Sequence, residues 1–276
     1  MKLIPRRTSA AFTRTELLFV GVTSICLFIL ATMLMPALGK AKAKSGLSRC
    51  WRNQKEIGTA FRVFASDNGD LYPLQALANP YIYQTSFSSN APGVVASTNA
   101  QAWQVFQAMW NELQTPKVLL CPNDLARKSN ERVINFNGLA GETNVVTLNS
   151  LGHPDNQNRA VSYAPQATAT EMNPLGVGNL DNNINFATGK TFGKTKAAAS
   201  GSRFSITSPE QARRLYWVKG RNSEPPHAPG NFTYADGRVQ QGDATVLQQA
   251  LLNAGAAYGW GTATAPGPGA SVFLMP

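Results

Sequence analysis

Ala11-Phe12-Thr13-Arg14-Thr15-Glu16-Leu17-Leu18 opens an apolar run that meets no further charge until Lys40. A lone carboxylate, Glu16, stands at the lip of this run, behind a short leader carrying Lys2, Arg6 and Arg7. A carboxylate beside hydrocarbon is costly unless something neutralises it. The stretch therefore predicts an N-terminal helix that works in a membrane and later packs against copies of itself.

Leu17 to Leu38 is 22 residues without a charge. At about 1.5 Å per residue such a helix spans roughly 33 Å, enough for a hydrocarbon core of about 30 Å. An ordinary secretory signal has an apolar core of about 7–15 residues before its cleavage site. Ala37-Leu38-Gly39 offers such a site, but the core here is too long. A plain anchor fits the length, and Lys and Arg on both sides leave its orientation open. Pro36 removes one helical hydrogen bond, so a kink or melted turn is expected near Pro36 and Gly39.

The helical pattern resumes beyond the run. Leu47, Cys50, Trp51, Gln54, Ile57, Gly58, Phe61 and Phe64 recur mainly at spacings of three and four, with Lys, Arg and Gln between them. Asp67-Asn68-Gly69-Asp70 supplies the stop, Gly69 being suited to a left-handed cap. The expected helix covers residues 12–66, with 17–38 in the membrane, and would be roughly 80 Å long at about 1.5 Å per residue.

The net charge is +10, yet charged residues make up only 14% of the 276. Much of the excess flanks the apolar run, in the leader and at Lys40, Lys42, Lys44, Arg49, Arg52 and Lys55. Basic residues in such places meet lipid headgroups, and no nucleic-acid-binding motif accompanies them, so nucleic acid is not an expected partner.

The opening octapeptide resembles the cleavage and N-methylation motif of type IV pilins and type II secretion pseudopilins. The resemblance implies a leader of residues 1–11, a cytoplasmic cut between Ala11 and Phe12, methylation of the new Phe12 amine, and Glu16 as the fifth mature residue. In that family the Glu meets the free N-terminal amine of a neighbouring subunit. Ala11 stands where Gly is usual, and Arg14 and Thr15 stand where two apolar residues are usual. Pro36 to Lys42, Cys50 to Gly58, and Phe64 to Pro73 resemble pseudopilin-like families abundant in Verrucomicrobia and Planctomycetes. Those families end in a His followed by Asp-Gly. Here His227 precedes Asp236-Gly237 with eight residues between His227 and Asp236, one fewer than the usual spacing. A catalytic or metal role for His227 and a structural hydrogen bond are both open.

Residues 67–254 form the expected globular head, and 255–276 a loose Gly- and Pro-rich tail. Asn99 to Leu113 reads as a second helix with Thr98 as its cap. Lys117 to Pro122 reads as a buried strand or extended segment, and 123–205 as irregular loops with a few short strands. Ser208-Pro209-Glu210 opens a short helical turn. Asn231 to Gln240 reads as a hairpin with a two-residue Asp236-Gly237 turn. A last helix is expected over Thr245 to Asn253, after Asp243.

Cys26 lies inside the apolar run and reads as a small buried hydrophobe. Cys50 and Cys121 fall where the resembled families carry Cys, which implies either a bridge from helix to head or two buried thiols. Asp67, Asn68 and Asp70 are weak oxygen ligands for calcium, without the spacing of an EF-hand. No other metal site and no cofactor are expected. Gly189-Lys190-Thr191 and Gly193-Lys194-Thr195 lack the upstream Gly of a phosphate loop. With His153 and His227 far apart and no catalytic motif, an enzyme is not expected.

The resemblance implies an α+β fold, a long N-terminal helix on a small antiparallel sheet with loop insertions. It implies a non-enzymatic filament subunit of a type II secretion or type IV pilus-like system. Its partners would be homologous pilin-like subunits, a prepilin peptidase/methyltransferase and inner-membrane assembly machinery. It would sit in the inner membrane with its head in the periplasm, then in a periplasmic or cell-surface filament. The alternative is a membrane-anchored or secreted polysaccharide-binding protein, with Trp103, Trp110, Trp217 and Trp260 as an exposed platform.

Overall fold

In a computed structural model of the chain, residues 13–77, 100–136, 147–167, 169–186, 203–218, 230–260 and 271–275 are described. Helix α1 runs from Arg14 to Asp67, 54 residues. The chain divides into two compact units, Met1–Ser45 and Gly46–Pro276, and α1 contributes to both. The break expected near Pro36 is absent, because α1 is continuous there. One missing N–H leaves the bonds on either side to hold the turn.

The fold of the second unit follows from the stripe on α1. Cys50, Ile57, Ala60, Phe61, Phe64 and Ala65 are buried, whereas Trp51, placed on that stripe by spacing, is 44% exposed. The stripe ends where Gly69 and Asp70 turn left-handed, at φ 66° and 62°. Helix α2 (Pro73–Leu77) follows.

The second helix is split. Helix α3 spans Ala102–Ala108 and α4 spans Trp110–Leu113, with Met109 off helical geometry between them. Its start moves to Gln101, whose N–H is taken by the Gln104 side chain at 2.9 Å; Thr98 lies outside the described residues. Pro116–Leu119 is a 3₁₀ helix, not a strand. Pro116 sets a helical φ, and the Thr115 hydroxyl accepts from the Lys117 N–H at 3.4 Å. Two more 3₁₀ turns, Leu125–Arg132 and Gln157–Ala160, precede the strands.

Eight strands are described: β1 (Tyr163–Pro165), β2 (Val177–Asp181), β3 (Ile184–Phe186), β4 (Arg203–Ile206), β5 (Leu215–Trp217), β6 (Gly230–Tyr234), β7 (Val239–Gly242) and β8 (Ser271–Leu274). They form an antiparallel sheet in the order β1-β2-β6-β7 and two antiparallel pairs, β3-β5 and β4-β8. Helix α5 (Pro209–Arg213) is capped by Ser208, as its sequence predicts.

Alternation along the strands sorts the main sheet into two faces. Ala164, Leu180 and Phe232 join one core with Leu247, Ala250 and Leu251 of helix α6 (Ala244–Tyr258). Tyr163, on the other face, joins a core with Cys50, Ile57, Phe61, Trp103 and Phe106. The architecture is α+β, with helices on both faces of a small antiparallel sheet.

Of the expected tail, residues 255–260 and 271–275 are described, and both parts are in or beside regular structure. Helix α6 continues to Tyr258, since Ala254, Ala256 and Ala257 favour helix, and Gly259 at φ 82° ends it. Beyond it, β8 pairs with β4 over Ser271–Leu274, and Phe273 is fully buried.

Candidate functional site

The start of α1 builds its own cap. Thr13 and Glu16 stand three apart, the spacing of a capping box. The Thr13 N–H donates to Glu16 Oε2 at 2.8 Å, and the Thr13 hydroxyl to the same oxygen at 2.9 Å. The Glu16 N–H donates to the Thr13 hydroxyl at 3.4 Å. The carboxylate therefore satisfies orphan donors of its own helix. Thr-Arg-Thr-Glu was the sequence signal for this arrangement. Ala11 and Phe12 lie outside the described residues.

Arg14–Thr32 is long and apolar enough to cross a membrane. Leu17, Leu18, Phe19, Val22, Ile25, Leu27 and Phe28 are all exposed. The polar side chains along it turn inward. Thr23 donates to the Phe19 carbonyl at 2.8 Å, and Thr32 to the Ile29 carbonyl at 2.8 Å, so both threonine hydroxyls are satisfied by their own helix. Cys26, expected as a buried hydrophobe, is a free and exposed thiol.

Cys50 and Cys121 form a disulfide, with Cα atoms 5.1 Å apart. The bridge ties the stripe of α1 to the end of the first 3₁₀ turn. A non-reducing gel of the purified chain should run faster than a reduced one.

The Asp236-Gly237 turn is a docking element. It differs from the expected two-residue turn: Ala235, Asp236 and Gly237 form a three-residue loop, with Tyr234 N–H donating to the Arg238 carbonyl at 2.8 Å. Gly237, at φ 80°, takes the left-handed position that such a loop requires. All three loop carbonyls face donors from α1 and its exit. Lys55 Nζ donates to Gly237 O at 3.0 Å, Arg62 Nη1 to Asp236 O at 3.4 Å, and the Tyr72 hydroxyl to Ala235 O. Burial, and then the Glu171 charge, push the Tyr72 hydroxyl above its ordinary value, so it remains a donor. The Asp236 carboxylate holds Arg238 at 2.6 Å, and that guanidinium lies over the Tyr234 ring. His227 lies outside the described residues.

The approach is closest at Gly58. A Cβ there would stand 2.5 Å from Thr233 Cγ2 and 3.4 Å from the Gly237 backbone. A Gly58→Val variant should therefore lose about 3 kcal/mol through overpacking. Thermal melting checks this, and an unchanged Tm would contradict the close docking.

Between α1 and the sheet lies a buried polar network. Gln54 Oε1 accepts from Asn179 Nδ2 and from the Thr233 hydroxyl, each at 2.8 Å. Gln54 Nε2 donates to Asp181 Oδ1 at 3.3 Å. Asp181 Oδ2 accepts from the Asn231 N–H at 2.7 Å and its side-chain amide at 3.3 Å. None of the five residues is more than 2% exposed.

The calcium candidates serve the helix exit. Asn68 Nδ2 donates to the Phe64 carbonyl at 2.7 Å, and the Asp70 N–H to Ala65 O at 2.8 Å. Among the described residues no three His, Cys, Asp or Glu side chains cluster for a metal. Asp67 also bears on Glu112. Burial, and then the Asp67 charge, hold the Glu112 carboxyl above the usual carboxylate range. The folded chain thus binds this proton more tightly than the unfolded chain. The stabilisation is full below the unfolded carboxyl's pKa and is lost as pH rises through the folded value. A Glu112→Gln variant should gain more Tm over the parent at pH 7 than at pH 4; equal gains would contradict the coupling.

Trp103, Trp110, Trp217 and Trp260 do not form an exposed platform. Trp103 and Trp217 are 4% and 6% exposed, and Trp110 and Trp260 are half-buried against the two cores. Gly189 to Thr195 lies outside the described residues. No protein-family model, no curated protein and no solved structure matches the chain.

Proposed function

We propose that the chain is a pilin-like structural subunit of a type II secretion or type IV pilus-like filament, and not an enzyme. A prepilin peptidase cuts between Ala11 and Phe12 and the new amine of Phe12 is methylated. Residues 17–38 hold the subunit in the inner membrane with its head in the periplasm until assembly. Homologous subunits then pack their N-terminal helices side by side.

The observation that carries this reading is the first half of α1. Along Arg14–Thr32 the apolar side chains are exposed, the Thr23 and Thr32 hydroxyls are satisfied internally, and one carboxylate stands at the start. A lipid phase covers such a surface before assembly, and like helices cover it afterwards. Glu16 then exchanges its bonds to Thr13 for the amine of a neighbour. The disulfide fits an oxidising compartment for the head. The polysaccharide-binding alternative loses its aromatic platform, because Trp103 and Trp217 are committed to the cores.

N-terminal sequencing of the chain co-expressed with a prepilin peptidase tests the proposal. A mature protein beginning at methylated Phe12 is the expected outcome. A start near Lys40 would overturn it in favour of a cleaved secretory signal.

A further inference from the structure

The start of α1 carries two charges of opposite sign that the helix keeps apart. Arg14 is exposed, and among the described residues no ion pair holds it. Glu16 stands two residues on. At about 100° and about 1.5 Å per residue, the two lie on opposite sides of the helix and about 3 Å apart along its axis, so they do not face each other within one chain. Glu16 instead turns back to Thr13, whose N–H and hydroxyl both donate to Oε2. Oε1 is left for a donor from outside the helix. Leu17, Leu18 and Phe19 follow directly and are all exposed, so whatever covers this face, lipid or protein, brings apolar groups up to both charges. An unpaired charge there is costly.

The sequence limits what can pair with Arg14. Glu16 is the only Asp or Glu among residues 1–55, so it is the one carboxylate that the membrane segment of a neighbouring copy can offer. We propose that Arg14 of one copy pairs with Glu16 Oε1 of the next. Copies lying parallel at one level place the two groups about 3 Å apart in height, across axes about 8–10 Å apart, a gap that an arginine side chain bridges. Cation and anion leave opposite sides of the helix, so each copy gives Arg14 to one neighbour and receives Arg14 from the other. Such a heterologous contact closes into a ring or continues as an open helical filament. The inference rests on the side-by-side packing proposed above, but not on the cut at Phe12. It adds a second cation to the carboxylate that the new amine of a neighbour meets.

The test is energy transfer between copies of the uncut full chain in phosphatidylcholine vesicles, with the dyes on Cys26, the free and exposed thiol. Uncut chains have no amine at Phe12, so their association reads the Arg14 pairing without it. Arg14→Glu alone and Glu16→Arg alone should each associate at least tenfold more weakly than the parent. A one-to-one mixture of the two variants should recover to within threefold of the parent, because each then supplies the charge that the other lacks. The exchanged variant, Arg14→Glu with Glu16→Arg, should recover likewise. Recovery in the mixture also shows that both single variants are folded and inserted. A parent that does not associate, single variants that associate as well as the parent, or losses that neither the mixture nor the exchange restores would each overturn the pairing. The last outcome assigns Arg14 to lipid phosphate, which a reversed charge on a neighbour does not replace. N-terminal sequencing keeps the two readings apart: a start at Phe12 with any of these outcomes removes the pairing alone, whereas a start near Lys40 removes the filament subunit as well.

Discussion

A Gln54→Leu variant should lose about 4 kcal/mol of stability, although leucine is the more apolar residue and the site is fully buried. The amide oxygen it removes is the acceptor for Asn179 and Thr233, and the amide nitrogen it removes is a donor to Asp181. Leucine would leave these buried polar groups without that partner. Each unmet group costs about 1–3 kcal/mol, and what leucine gains by burying two or three carbons is smaller. Urea unfolding of the full chain in detergent reads the effect as a lower midpoint at an unchanged slope. A loss under about 1 kcal/mol would show that the network adds little beside the apolar stripe of α1 and its bonds to the Asp236-Gly237 loop.

Removing the disulfide is the second large effect. Cys50 and Cys121 are 71 residues apart, and a loop of that size costs the unfolded chain about 4 kcal/mol of entropy when it is closed. A Cys50→Ala, Cys121→Ala double variant should therefore melt roughly 10 °C below the parent, at about 2–4 °C per kcal/mol for a head of this size. Reduced parent protein should melt with the variant. If the reduced parent instead melts with the oxidised one, the bridge contributes nothing and the apolar stripe of α1 suffices.

The parts of the fold that could be read from sequence rest on local signals. The apolar run, the three-four spacing from Cys50 to Phe64, the left-handed stop at Gly69 and the Ser208 cap each lie within one or two turns of chain. What escaped depends on partners far away in sequence. Gln54 was counted with the stripe by spacing, but its polar partners lie at residues 179, 181 and 233. The strand at Ser271–Leu274 hides in a Gly- and Pro-rich stretch, because four residues carry no period and its partner β4 is remote. Trp51 sits on the right spacing yet faces out, since the buried arc of α1 is narrower than the spacing suggests. At the site the position of Glu16 was legible, but its bonds to Thr13 were not drawn from the Thr-x-x-Glu pattern that announces them. The Asp-Gly turn was legible as a turn. Its carbonyl-by-carbonyl seating on Lys55, Arg62 and Tyr72 was not, because those donors come from another element.

The place of β8 also sets an order of events during synthesis. The chain emerges N-terminus first, and most of the core around Cys50, Phe61, Trp103, Phe106 and Tyr163 draws on residues made early. Cys121 can meet Cys50 before any strand of the main sheet exists. The second core waits for Phe273, whose strand pairs with β4 some seventy residues after β4 has left the ribosome. Until then the edge of β4 that pairs with β8 is unpaired, and Phe204 and Ile206 lack the cover that Phe273 adds to that of Phe186, Leu215 and Leu247. A ribosome stalled before residue 271 would hold a chain already tethered by its disulfide yet still open at the second core. The last strand is therefore the step that closes the second core.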